Sequence, residues 1–204
     1  MVQNPRLVLT GRFTEAVEYA RQLHTEYRKG TEIPYMAHLL GVAALVMGEA
    51  GGRVPVSEEM VIAALLHDAV EDHGGLPRLR EIEKRFGPGV ARMVEGLSDT
   101  FAEDHDKKES WEDRKKNYLA RLREESGDVL LISAADKLYN AKAILDDFKE
   151  IGAKVFERFK RGKDQQLWYF DELLKVFHAH PPNRIVNDLE LVVQELRAVT
   201  SNKA

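Results

Sequence analysis

The sequence predicts an all-α fold of nine to ten helices in a single domain, on three observations. Apolar residues recur at three- and four-residue spacing almost from end to end, which is the period of a helix with one buried face. Most Gly and Pro fall between these segments rather than inside them. The one stretch that resembles a strand, Val129-Leu130-Leu131-Ile132, is continued at helical spacing by Leu138, Ala141, Ile144 and Leu145.

The elements follow in order. A first helix spans about 14–29, with Phe13, Val17, Ala20, Leu23, His24 and Tyr27 on one stripe, and Gly30 stops it. A second covers about 36–50 and ends at Gly51-Gly52. A third starts at Ser57, a good N-cap, and runs to about 72 before His73-Gly74-Gly75. Pro77 opens a short fourth helix that Phe86-Gly87-Pro88 closes, and 89–97 forms a fifth. The polar stretch 98–110 reads as a loop, its charges at 103–109 solvated. Further helices are expected at about 111–125, 128–150, 153–161, 165–178 and 183–199.

Composition narrows the function. The 204 residues fit one domain, and 44% hydrophobic with 31% charged residues excludes intrinsic disorder. Thirty Lys+Arg against 34 Asp+Glu leave a net charge of −4, so the global field does not recruit nucleic acid and an anionic ligand needs a local basic patch. Cysteine is absent, which removes disulfides, thiolate zinc sites and cysteine nucleophiles, and leaves His and carboxylate as metal ligands. The first residues lack a signal-peptide core, and the apolar runs stop well short of about 18 residues. A cytoplasmic protein without a membrane partner is expected.

The third helix carries the most information. Val61-Ile62-Ala63-Ala64-Leu65-Leu66 is apolar on every face, as for a helix through a core, and then four ionisable residues follow, His67, Asp68, Glu71 and Asp72. Each i,i+4 pair, His67 with Glu71 and Asp68 with Asp72, shares a helical face. Unpaired, such charges in a core are strongly unfavourable, so a metal or a partner cation is expected. The pattern recurs at Asp136 and Asn140, after apolar Val129 to Ala135 broken only by Ser133, and at His38, which precedes Leu39, Leu40, Val42 and Ala43. Taken singly, His38 reads as a satisfied core histidine and Asp136 as an ion-pair partner of Lys137. Jointly, two imidazoles and two carboxylates from three helices suit a divalent transition metal with positions open to water and substrate.

These residues resemble the H…HD…D signature of the HD-domain metal-dependent phosphohydrolases. Arg28-Lys29-Gly30, Pro34-Tyr35, His38, the run from Ala63 through His67-Asp68 to Glu71-Asp72, Phe86-Gly87 and Ala135-Asp136-Lys137-Leu138-Tyr139-Asn140 are similar, in the same order, to the hydrolase domain of RelA/SpoT-type alarmone enzymes. The resemblance covers a core of about 13–150 and leaves 151–204 as a helical C-terminal extension. It implies one divalent metal, Mn²⁺ before Fe²⁺, Zn²⁺ or Co²⁺, held by His38, His67, Asp68 and Asp136. It implies that Glu71 and Asp72 handle the attacking water, and that Arg28, Lys29, Asn140 and Arg114 contact a nucleotide. The implied reaction removes the 3′-pyrophosphate of (p)ppGpp, as in hydrolase-only small alarmone hydrolases of the stringent response. Two other functions fit the same residues: a nucleotide phosphatase on NADPH, a dNTP or a nucleoside monophosphate, and a nucleotide sensor without turnover. The sequence departs from the family pattern at Leu39, His73 and Tyr139, where Pro, Thr and His are usual. In the extension, the aromatic stripe of Phe156, Phe159, Trp168-Tyr169-Phe170 and Phe177 is expected in the core, and Arg158, Lys160, Arg161 and Lys163 at a solvated helix end.

Overall fold

The computed structural model describes residues 6–52, 54–102 and 109–201. These form α1 (Gly11–Leu23), α2 (Tyr35–Gly48), α3 (Glu58–Leu66), α4 (Ala69–Asp72), α5 (Gly75–Phe86), α6 (Pro88–Leu97), α7 (Trp111–Leu122), α8 (Gly127–Ile151), a 3₁₀ helix (Gly152–Arg158), α9 (Gly162–His178) and α10 (Arg184–Ser201). Apart from an isolated bridge between Tyr27 and Pro34, the described residues are helix, turn and irregular backbone. Of the charges at 103–109 expected to be solvated, those at 103–108 lie outside the described residues.

Two helices organise the rest. In α3, every side chain from Met60 to Leu66 is buried, and the helix is packed by α1, α2, α6 and α8. Its all-round apolar sequence therefore marks a central helix, as the physics of burial requires. The 25-residue α8 runs past α2, α3 and α6 and is covered on its remaining side by α10. Two of the three metal-capable helices of the sequence thus lie at the centre, beside the third, α2 with its His38. The extension packs onto this core through α10 against α8 and α9 against α7.

The structure corrects three boundaries. First, α1 ends at Leu23 rather than near 29, because the chain turns out of helix at His24 (φ −99°, ψ 85°). The following backbone forms cross-loop bonds instead: Arg28 N–H donates to the Ile33 carbonyl at 2.7 Å and Tyr35 N–H to the Glu26 carbonyl at 2.9 Å. Tyr27, expected on the core stripe, is 61% exposed. Second, the expected helix 57–72 is split into α3 and α4 at His67-Asp68. Nδ1 of His67 bonds the Ala64 carbonyl at 2.8 Å, the acceptor that the Asp68 amide uses in an unbroken helix. Third, 152–158 is 3₁₀ helix after a turn at Gly152.

Gly41 shows how tightly α2 meets α8. A Cβ at this position would stand 2.0 Å from Cε2 of Tyr139, whose ring in turn lies 5.1 Å from that of His38. Gly41→Ala is expected to cost about 1–3 kcal/mol through overpacking, read as a lower Tm in thermal denaturation. An unchanged Tm would mean that the Tyr139 ring relaxes without cost.

Candidate metal centre and cleft

Three segments converge on one buried cluster. His38, in the second turn of α2, and His67, at the end of α3, face each other with Nε2 atoms 3.2 Å apart. Oδ2 of Asp68 lies 3.1 Å from Nε2 of His67 and 3.4 Å from Nε2 of His38. From α8, Oδ1 of Asp136 lies 3.3 Å from Nε2 of His38 and 3.7 Å from Nε2 of His67. Both histidines and Asp136 are buried.

The arrangement suits a divalent ion. Two imidazole nitrogens at this separation share at most one proton, whereas a cation between them uses both lone pairs. The bond from Nδ1 of His67 to the Ala64 carbonyl fixes the tautomer that leaves Nε2 free to ligate. Nδ1 of His38 is buried without a hydrogen-bond partner. His38, His67 and Asp68 offer ligand atoms close enough to share one ion, with Asp136 beside them. A mixed imidazole and carboxylate set fits borderline first-row metals.

Outer partners hold the carboxylates. Tyr35 donates its hydroxyl proton to Oδ2 of Asp68 at 2.6 Å. Burial pushes the Tyr35 phenol up, so it stays a donor across the working pH range. Asn140 Nδ2 donates to Oδ1 of Asp136 at 2.6 Å, and Lys137 Nζ to Oδ2 at 2.5 Å. Arg28 in turn donates to Oδ1 of Asn140 at 2.6 Å, which ties the loop after α1 to the face of α8 that carries Asp136.

The expected i,i+4 pairs diverge. His67 and Asp68 face the cluster, while Glu71 turns toward α7, where Arg114 Nη1 is 3.5 Å from its Oε1. Arg114 also donates to Asp99 at 2.5 Å, and Lys115 does so at 2.7 Å. Burial raises the Asp99 carboxyl, yet Lys115 and Arg114 outweigh it and hold the group down at about 2. Glu71 shifts the other way: burial and the neighbouring Asp99 charge push it up, only partly offset by Lys115. Asp99 and Lys115 were absent from the expected site. Asp72 is half-buried on α4, and its charge contributes to raising Tyr35.

Beside the cluster opens a cleft of about 680 Å³, lined by Arg28, Lys29, Lys137, Tyr139 and Asn140 among others. Arg28, Lys29 and Asn140 thus stand where a nucleotide contact was expected, whereas Arg114 lies with Glu71 and Asp99 instead of on the cleft wall. The extension supplies part of that wall through Arg158, Phe159, Tyr169 and Phe170. Arg158 is not at a solvated end: it ion-pairs with Asp147 and packs across Gly30, where a Cβ would stand 2.9 Å from its Cδ. Gly30 also has φ +70°, so the turn needs glycine on both counts. The expectation for Lys160, Arg161 and Lys163 stands, since all three are exposed. Phe156, Tyr169, Phe170 and Phe177 are buried, as the stripe predicted, whereas Phe159 and Trp168 are only partly buried.

Fold and site together define a class: an all-helical protein with a buried histidine and aspartate cluster able to hold a divalent ion. The HD domain profile matches residues 16–161, and the chain belongs to this family. Mouse guanosine-3′,5′-bis(diphosphate) 3′-pyrophosphohydrolase MESH1 is 36% identical over 178 residues, covering 79% of this chain and 89% of the mouse protein. The Aquifex aeolicus enzyme of the same activity name is 37% identical over 129 residues, or 63% of this chain, and this chain spans only 17% of that protein. The solved structure of a metazoan orthologue of SpoT, titled as hydrolyzing ppGpp, superposes with a TM-score of 0.71 at 25% identity over 94% of this chain and 98% of that one. None of the described helices is long and apolar enough to cross a membrane.

Proposed function

We propose that this chain is a metal-dependent hydrolase that releases pyrophosphate from the ribose 3′ position of (p)ppGpp. One ion, Mn²⁺ in this reading, is held by His38, His67, Asp68 and Asp136. The observation that carries the reading is the cation-lined cleft opening directly beside the cluster in a chain of net charge −4. It is the local basic patch that a polyanionic ligand requires, and the relatives named for this reaction share the fold.

When bound, the ion supplies the acidity that activates water and offsets charge on phosphoryl oxygens. The chain's own residues do the rest. Lys137, Arg28 and Lys29 gather the phosphates, and Arg28 and Asn140 are mutually fixed, so they meet the substrate preorganised. Glu71, with its raised carboxyl, takes the proton of the attacking water, and Asp72 orients that water. Arg114, anchored on Asp99, positions Glu71, while Lys115, held by the same carboxylate, lines the cleft. Residues 13–150 carry these groups, and the extension 151–204 completes the cleft wall.

The test is product analysis by anion exchange after adding Mn²⁺ to metal-free protein with ppGpp, pppGpp, NADPH, GTP or a dNTP. Pyrophosphate with GDP or GTP from the first two alone is expected. Phosphate from NADPH or a dNTP would reassign the substrate to another nucleotide. Intact but tightly bound ppGpp would make the chain a sensor.

A further inference from the structure

A second group of metal-capable side chains lies outside the cluster described above. His24 follows α1, Glu26 lies two residues on in the loop, and His73 follows α4. Nδ1 of His24 is 2.8 Å from Oε1 of Glu26 and 3.2 Å from Nε2 of His73, and the latter is 3.4 Å from the same Glu26 oxygen. All three ligand atoms therefore face one point. Nitrogen and oxygen ligands about 2.0–2.2 Å from a tetrahedral ion are separated by about 3.3–3.5 Å, so two of the three separations are already close to that spacing.

Burial and access point the same way. The side chain of His24 is fully buried, and its Nε2 has no partner, so its polar engagement is through Nδ1 toward the other two. The side chains of His73 and Glu26 are 27% and 40% exposed, which leaves the group open to solvent and to water as a further ligand. Tyr35 separates this group from the first. Its ring stacks on His24 at 5.0 Å, and its hydroxyl donates to Asp68.

We propose that His24, Glu26 and His73 form a second, peripheral site for a divalent transition ion of the Zn²⁺ or Co²⁺ class. Two imidazoles and one carboxylate favour such ions over Mg²⁺ or Ca²⁺, which prefer all-oxygen sets. A metal here ties the loop that carries Arg28 to the segment that follows Glu71 and Asp72. The site is then a clasp between the cleft and the water-handling residues, separate from the reacting atoms.

The experiment counts metal without substrate, so its result is independent of the reaction proposed above. Chelator-treated full chain is loaded with Zn²⁺ or, separately, Co²⁺, passed through gel filtration and analysed for bound metal. The wild type is expected to retain two equivalents. His73→Ala and Glu26→Gln, both at partly exposed positions, are each expected to retain one, with circular dichroism and Tm close to wild type. Asp68→Ala is expected to retain one, and Asp68→Ala/His73→Ala none. A wild type that retains one equivalent, unchanged in His73→Ala, overturns the proposal. Two equivalents that survive the Glu26→Gln/His73→Ala double substitution overturn it as well.

Discussion

Asp68→Ala is expected to remove the catalytic ion and turnover together while leaving the helices in place. Oδ2 of Asp68 lies within 3.4 Å of both imidazoles and accepts the Tyr35 hydroxyl at 2.6 Å. In the proposed centre the ion would then lose one of two anionic ligands, and Tyr35 its acceptor. Loss of an outer-shell partner alone costs about 10–100-fold in metal affinity or activity, so loss of the ligand itself should exceed that range. Tyr35→Phe supplies the graded control, with a deficit inside the 10–100-fold range and metal retained at high concentration. Metal analysis and steady-state kinetics on the same preparations check both. An Asp68→Ala protein that turns over (p)ppGpp at the wild-type rate would remove this residue from the centre.

Metal dependence should also show a sign with pH. Burial pushes the His67 imidazole down, but the Asp68 and Asp136 carboxylates outweigh it and hold it well above its ordinary value. In the metal-free chain a proton then competes for the cluster as pH falls, so the affinity for the ion should weaken toward acid. Isothermal titration with Mn²⁺ at several pH values reads this directly. An affinity that rises toward acid would contradict it.

The parts of this molecule that were legible in the sequence are those where a charge interrupts an apolar helix. His38, His67, Asp68 and Asp136 stand out because burial without a partner is unfavourable, and the structure places all four together. Asp99 shows the limit. It sits just past α6 in a polar stretch where a solvated aspartate looks the same, and only the approach of α7 brings Arg114 and Lys115 onto it. Arg158 was equally opaque, since its burial depends on Asp147 eleven residues back and on the bare backbone of Gly30. The end of α1 was misjudged because apolar spacing continues through Tyr27, while the cross-loop bonds that stop the helix leave no trace in periodicity. His24 and His73, 49 residues apart, meet only through that same turn.

Glu71→Gln is expected to keep the metal and lower kcat by about 10²–10⁴-fold, the usual contribution of a positioned acid or base. The substitution preserves shape and one acceptor oxygen, and removes the negative charge together with the ability to take a proton. Glu71 lies away from the ligand atoms, facing Arg114 and Asp99, so the ion should stay. The pH profile carries the sharper test. Burial and the Asp99 charge raise the Glu71 carboxyl above its ordinary 4.5, and the base is the deprotonated form. Activity should therefore rise with pH through this elevated value and be lost below it, giving an acid limb displaced upward from that of a free glutamate. Because Glu71 and Asp99 interact, the limb belongs to the pair, and Asp99→Asn should move it down by withdrawing the neighbouring negative charge. In Glu71→Gln the limb should disappear and leave a low, flatter profile. If instead the limb persists in Glu71→Gln and vanishes in Asp72→Asn, the two carboxylates exchange roles: Asp72 takes the proton, and Glu71, held by Arg114, orients the water.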